Sequence, residues 1–213
     1  NSTHTEYNTA IGYTALHGND STAQTGDSNT AVGYNALTAC QSGTGNIAIG
    51  YTALDSVTSG NYAIAIGHGA GAAITTEDTK SIFIGVSAGA SVTTGGENIL
   101  IGYQAGDALT SGGDNIAIGN QALSTEDTYG RNVAVGTSAL QTLNSGSNGY
   151  NVALGYETGK LMTTGGLNTI VGGLAGDAIT TGDGNVAVGY LALSTEDEYG
   201  YNTAVGSQAL QNL

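Results

Sequence analysis

Proline and tryptophan are absent from this 213-residue chain, phenylalanine and cysteine occur once each, and lysine and arginine together number three. Each scarcity removes a class of protein. Lys80, Arg131 and Lys160 face 17 acidic residues, for a formal net charge of -14. So few cations cannot neutralise a run of phosphates, which excludes nucleic-acid binding, and attraction to an anionic membrane surface fails for the same reason. Cys40 has no partner for an intrachain disulfide. No apolar run has the length of a membrane-spanning helix and no signal-peptide pattern appears, so membrane insertion is not expected. Hydrophobic residues make up 39% of the chain, and much of that is alanine, which argues against a conventional core of Leu, Phe and Trp.

What is abundant is glycine, at 36 residues, set among many Ile, Val and Thr. Glycine-rich chains are often disordered, but disorder goes with scarce β-branched residues, which is not the case here. The phrase "NTAIGYTAL" from Asn8 returns as "NTAVGYNAL" from Asn29, "NIAIGYTAL" from Asn46 and "NVAVGYLAL" from Asn185. Aligned on it, coils start at Asn8, Asn29, Asn46, Ala63, Ser81, Asn98, Asn115, Asn132, Asn151, Asn168, Asn185 and Asn202. Eight of the eleven spacings are 17 residues, which marks a solenoid and outranks local secondary-structure guesses. Residues 1–213 therefore read as a single repeat domain. With no initiator Met and a last "AL" phrase just before Leu213, the expectation is a segment of a longer fibre.

The columns carry the physics. The residue after the Asn slot is β-branched in every coil, and the one two further on is aliphatic. Such residues suit a pleated strand, and period-2 alternation sends the two columns to one face. The other face carries mostly Ala, with Phe83, Leu100 and Ile170 as exceptions. Gly then follows in all twelve coils: Gly12, Gly33, Gly50, Gly67, Gly85, Gly102, Gly119, Gly136, Gly155, Gly172, Gly189 and Gly206. A glycine fixed at one position signals a positive φ or another backbone too close for a Cβ. After it, "x-A-L" predicts a second short strand. The fold class expected is all-β, a parallel β-solenoid in the form of a flattened β-roll of about twelve 17-residue coils. Its bulky columns are expected inside the roll. Its Ala/Gly strip is expected outside, shielded by sister chains in an intertwined or side-by-side homotrimer.

The repeat N-x-A-[IV]-G-Y-x-A-L resembles repeats of phage tail fibres and related bacterial surface fibres, which often end in an endosialidase-type chaperone domain. It is also similar to the "N-S-V-A-I-G" head repeats of YadA-type trimeric adhesins, which are left-handed parallel β-rolls wound into trimers. The likeness spans essentially the whole chain. It departs from the adhesin heads in its 17-residue coil, its Tyr after half of the column glycines and its longer "STED" turns. What the resemblance implies is a trimeric extracellular or virion fibre that attaches to a host surface, with a glycan or other receptor as partner and no catalysis.

The residues offer few sites. Acidic turns raise Ca²⁺ as a candidate ligand at Glu126 and Asp127 and at Glu196 and Asp197. These pairs lie four coils apart and cannot share an ion within one chain, so solvated turn acids are the default and no cofactor is required. Lys80, Glu97, Asp114 and Arg131 form a stacked column of mixed sign in the slot before Asn. Tyr129, Tyr150, Tyr199 and Tyr201 fall in polar turns and are the glycan-contact candidates, since sugar rings stack on exposed aromatics. Tyr13, Tyr34, Tyr51 and others after the glycines read instead as a structural ladder. The extra residues of the first coil (17–28) and the eighth (144–151) must bulge from the rod. No nucleophile–base pair or phosphate loop emerges, so the chain is not expected to be an enzyme. Two alternatives to attachment stand open. One is a monomeric solenoid binding ice or mineral through the turn pairs Thr75/Thr76, Thr93/Thr94, Thr163/Thr164 and Thr180/Thr181. The other is a ligand-free spacer.

Overall fold

The computed structural model describes residues 7–18, 25–75, 80–195 and 198–211; Thr76, Glu196 and Asp197 lie outside them. Three-residue strands form at the [TIV]-x-[IVL] triplet that directly precedes the invariant glycine of each coil: β1 (Thr9–Ile11), β2 (Thr30–Val32), β3 (Ile47–Ile49), β4 (Ile64–Ile66), β5 (Ile82–Ile84), β6 (Ile99–Ile101), β7 (Ile116–Ile118), β8 (Val133–Val135), β9 (Val152–Leu154), β10 (Thr169–Val171), β11 (Val186–Val188) and β12 (Thr203–Val205). They pair in chain order as one parallel, twelve-stranded sheet. Register follows the repeat, with Ala31 opposite Ala48 and Ile47 opposite Ile64. The chain is a parallel β-solenoid, and each coil is about one repeat long.

Two expectations are corrected. The "x-A-L" phrase is not a second strand. Its first and third residues sit at positive φ, as at Thr52 (51°) and Leu54 (50°), which is a left-handed conformation that no strand accommodates. Coils are joined there by alternating bonds. Thr52 N–H donates back to Tyr34 O at 2.9 Å, and Leu54 N–H donates forward to Ala70 O at 3.1 Å. Because this third position has positive φ, the repeat exchanges Leu for Gly there.

The second correction concerns which face of the strand points inward. The central Ala of the strands is sealed inside the chain's own roll: Ala31, Ala48, Ala65, Ala117, Ala134, Ala153 and Ala187 have no exposed surface. The β-branched columns point out, and Ile49, Ile66 and Leu154 are more than a third exposed. A small coil with several left-handed corners leaves room for a methyl group beneath the strand, and the larger side chains must face away. Where the strand centre is large, the corner gives way. Phe83, Leu100 and Ile170 are each matched in their own coil by Gly89, Gly106 and Gly176, where a Cβ would overlap those side chains. Gly71 and Gly159 make the same room for Phe83 and Ile170 from the adjacent coil. The invariant glycines are likewise explained within one chain. Gly136 has φ of 139°, and a Cβ there would collide with the Gly155 carbonyl of the next coil. The Ala/Gly strip is thus covered by its own solenoid and needs no sister chain.

The Asn column is an internal ladder. Asn151 Oδ1 accepts the Asn168 N–H at 3.0 Å, and Asn151 Nδ2 donates to Gly165 O at 2.9 Å. Asn98 and Asn168 donate in the same way to Gly112 O and Gly182 O, both at 2.9 Å. These amides are fully buried, and their bonds supply the polar partners that burial requires.

Candidate functional site

Two surfaces stand out. The first is the outer sheet face. Its two columns hold Thr, Ile, Val or Leu on all twelve strands, with no charged residue, although the chain's net charge is -14. At about 4.8 Å per strand the strip is roughly 50 Å long, and at two residues wide it covers on the order of 500 Å². A patch of that size is at the upper end of what monomers expose, and such patches are often functional. Tyrosines border it: Tyr13, Tyr34, Tyr51 and His68 stack along one edge, with centroids 5.3, 5.1 and 4.9 Å apart and near-parallel rings. On the opposite edge Tyr62 and Tyr201 lie against Gly45 and Gly184 of the preceding coil, where a Cβ would meet the ring at 2.8 and 3.0 Å.

The second surface is built around the "STED" turn of the seventh coil and the insertion of the eighth. Glu126 is a correction to the solvated-acid reading. It has no exposed surface and occupies the column filled by Val92, Leu109, Leu143 and Met162 in other coils. Its Oε2 accepts the Ser145 N–H at 3.1 Å and the Ser145 hydroxyl at 2.8 Å, and Oε1 accepts the Tyr129 N–H at 3.4 Å. A single buried carboxylate thereby pins both its own turn and the root of the insertion. It has no free oxygen array for a cation. Its neighbour Asp127 uses its carbonyl to accept the Thr110 N–H and hydroxyl at 2.6 and 2.8 Å. Among the described residues no three His, Cys, Asp or Glu side chains converge on a metal position.

Burial pushes the Glu126 carboxyl above its ordinary value, against the lowering effect of the Ser145 and Tyr129 bonds. The folded chain therefore holds this proton more tightly than the unfolded chain. The associated stability is complete below the unfolded value of about 4.5 and is lost as pH rises through the higher folded value. Glu126→Gln removes that titration. The expected result is a stability profile that falls less between pH 4 and 7 than that of the parent, read as denaturation midpoints across about that range.

Of the glycan-contact candidates, Tyr150 is the one placed in a built setting. Arg131 Nη1 donates to its hydroxyl at 2.8 Å, the guanidinium carbon lies 5.6 Å from the ring centroid, and Arg131 Nε is 3.5 Å from Asp114 Oδ2. The ring remains half exposed and faces a cleft between the insertion and the turns of the next two coils. Tyr129 and Tyr199 occupy equivalent turns four coils apart, and Tyr201 is 84% exposed above Gly184. The structure does not bring these three to Tyr150's cleft. The role of Leu167 in that cleft had no signal in the repeat, because its slot holds Tyr, Ser, Gly, Lys, Glu, Asp or Arg in other coils. Of the turn threonines weighed for ice, the Thr93 and Thr163 hydroxyls donate to Thr110 O and Thr180 O at 3.0 and 3.1 Å. Comparison with family models, curated protein sequences and solved structures finds no match for this chain.

Proposed function

We propose that the chain is a segment of a self-assembling fibre, with copies covering one another's outer sheet faces, and that the assembled rod serves in attachment to a host surface glycan. The observation that carries the reading is the uncharged β-branched strip on every strand of an otherwise acidic molecule. A partner that fits it must be apolar, equally long and matched to the coil spacing, and a second copy meets all three conditions. Closed cyclic assembly shields such a face without open-ended growth. The threefold number, the fibre setting outside the cell or on a virion, and the attachment role rest on the resemblance of N-x-A-[IV]-G-Y-x-A-L to tail-fibre and adhesin repeats. Attachment in such a rod is multivalent, since sites repeated around one axis convert weak contacts into avidity.

The test is sedimentation equilibrium of the chain and of an Ile101→Lys/Ile118→Lys double variant. A trimer is expected for the parent. The variant is expected to be a folded monomer, because two buried cations at each interface leave charges without partners. A parent that remains monomeric at high micromolar concentration removes the assembly reading.

A further inference from the structure

A cleft beside Tyr150 combines an oriented aromatic with a lining of polar side chains. Its volume is about 320 Å³, at the small end of the ~300–1,000 Å³ range of ligand sites and suited to one or two sugar rings. It exists because the eighth coil carries two more residues than the common repeat, and these close over the turns of the following two coils. Its root is fixed by the Glu126–Ser145 bonds, so it is not a slack loop.

We propose that this cleft binds a neutral sugar. The proposal rests on the attachment reading above and names the site and the ligand chemistry for it. Tyr150 and Leu167, 50% and 63% exposed, form the apolar wall. The Arg131 bond to its hydroxyl and the guanidinium beside its ring hold the Tyr150 side chain, so its ring is oriented before a ligand arrives. Ser147, Asn148 and Thr164 line the polar side together with Asp183. One Asp183 oxygen accepts the Gly166 N–H at 2.6 Å, which fixes the carboxylate and leaves its other oxygen to accept ligand hydroxyls. A ligand with a C–H face and a rim of hydroxyls satisfies both walls, and a pyranose has that form. Charge decides between sugar classes. Asp183 and the net charge of -14 oppose a carboxylated sugar, and the cation closest to the ring, Arg131, is paired with Asp114.

The experiment titrates the 213-residue chain with lactose, methyl α-mannopyranoside, methyl β-glucopyranoside and 3′-sialyllactose, read by saturation-transfer NMR. Binding of a neutral probe is expected, with sialyllactose weaker by about tenfold and Tyr150→Ala costing about tenfold in affinity for the neutral probe. Tyr199→Ala is expected to change nothing. Asp183→Asn retains an acceptor for Gly166 and is expected to narrow the gap between neutral and acidic probes, which keeps the test open should Tyr150→Ala misfold. Tighter binding of sialyllactose overturns the ligand class. Neutral binding that survives both Tyr150→Ala and Asp183→Asn but is lost in Tyr199→Ala overturns the cleft and leaves attachment standing. No binding here together with a blank glycan array for the assembled rod removes the attachment reading as well.

Discussion

Gly136→Ala is expected to cost about 3 kcal/mol or more, and to part the solenoid at one place rather than loosen it throughout. At φ of 139° the backbone lies where side-chain-bearing residues are rarely found. Relaxing φ would not rescue the variant, because the added methyl is aimed at the Gly155 carbonyl of the next coil. That carbonyl has little freedom to retreat, since its peptide is tied on both sides: Gly155 N–H donates to Val135 O at 2.8 Å and Glu157 N–H to Thr137 O at 2.9 Å. Coils interact chiefly with their immediate neighbours, so the damage is confined to the junction of β8 and β9. Hydrogen exchange should show protection lost at Gly155 and Glu157 while Gly67 and Gly85 keep theirs. A Gly136→Ala chain as stable as its parent would refute the coil-to-coil account of the glycine column. Gly206 provides the control: a Cβ there meets only Ala209 Cβ at 3.9 Å, so Gly206→Ala is expected to cost only its backbone strain.

Asn151→Ala carries the second large effect. The substitution removes the acceptor of the Asn168 N–H and the donor to Gly165 O, both in a fully buried ladder. Leaving a buried polar group unpaired costs about 1–3 kcal/mol. Two such groups place the loss at roughly 3–5 kcal/mol, measured as the shift in denaturation midpoint at constant slope. Ser is the informative comparison. Ser81 stands in the same column, and its hydroxyl accepts the Asn98 N–H at 3.0 Å. Asn151→Ser should therefore recover the contact to Asn168 but not the one to Gly165, and fall between parent and Ala. Equal losses for Ser and Ala would mean that the column acts through something other than these bonds. Both predictions concern positions that recur at the repeat spacing, and the ladder explains why: an amide can both accept from one coil and donate across its own.

The two surfaces differ in how far the repeat could reveal them. That a strand occurs at each "[TIV]-x-[IVL]" directly before an invariant glycine was legible, because β-branched and aliphatic residues at spacing two suit a pleated strand. That the strand presents its bulky side to solvent was not, since both sides are apolar and hydrophobicity alone favours burying the larger. Glu126 shows the same limit from the other direction. In sequence it belongs to a run of turn acids, yet its place in the coil is that of Leu109 and Leu143, and only the stacked path of the chain makes that equivalence physical. Tyr150 was recognisable as an aromatic in a long turn, whereas its Arg131 support and Leu167 neighbour depend on how that turn folds over the next coils.

By itself the sequence determined the winding: its coil length, strand positions, parallel register and glycine corners, because each is set by local sterics and repeated until no other period fits. Tertiary structure decided which face is hidden, which acid is buried and where a cleft opens. Those outcomes depend on the volume left inside a coil whose corners turn left-handed. That volume admits an alanine methyl beneath most strands, or a large side chain where a glycine yields, and it leaves the β-branched face outside.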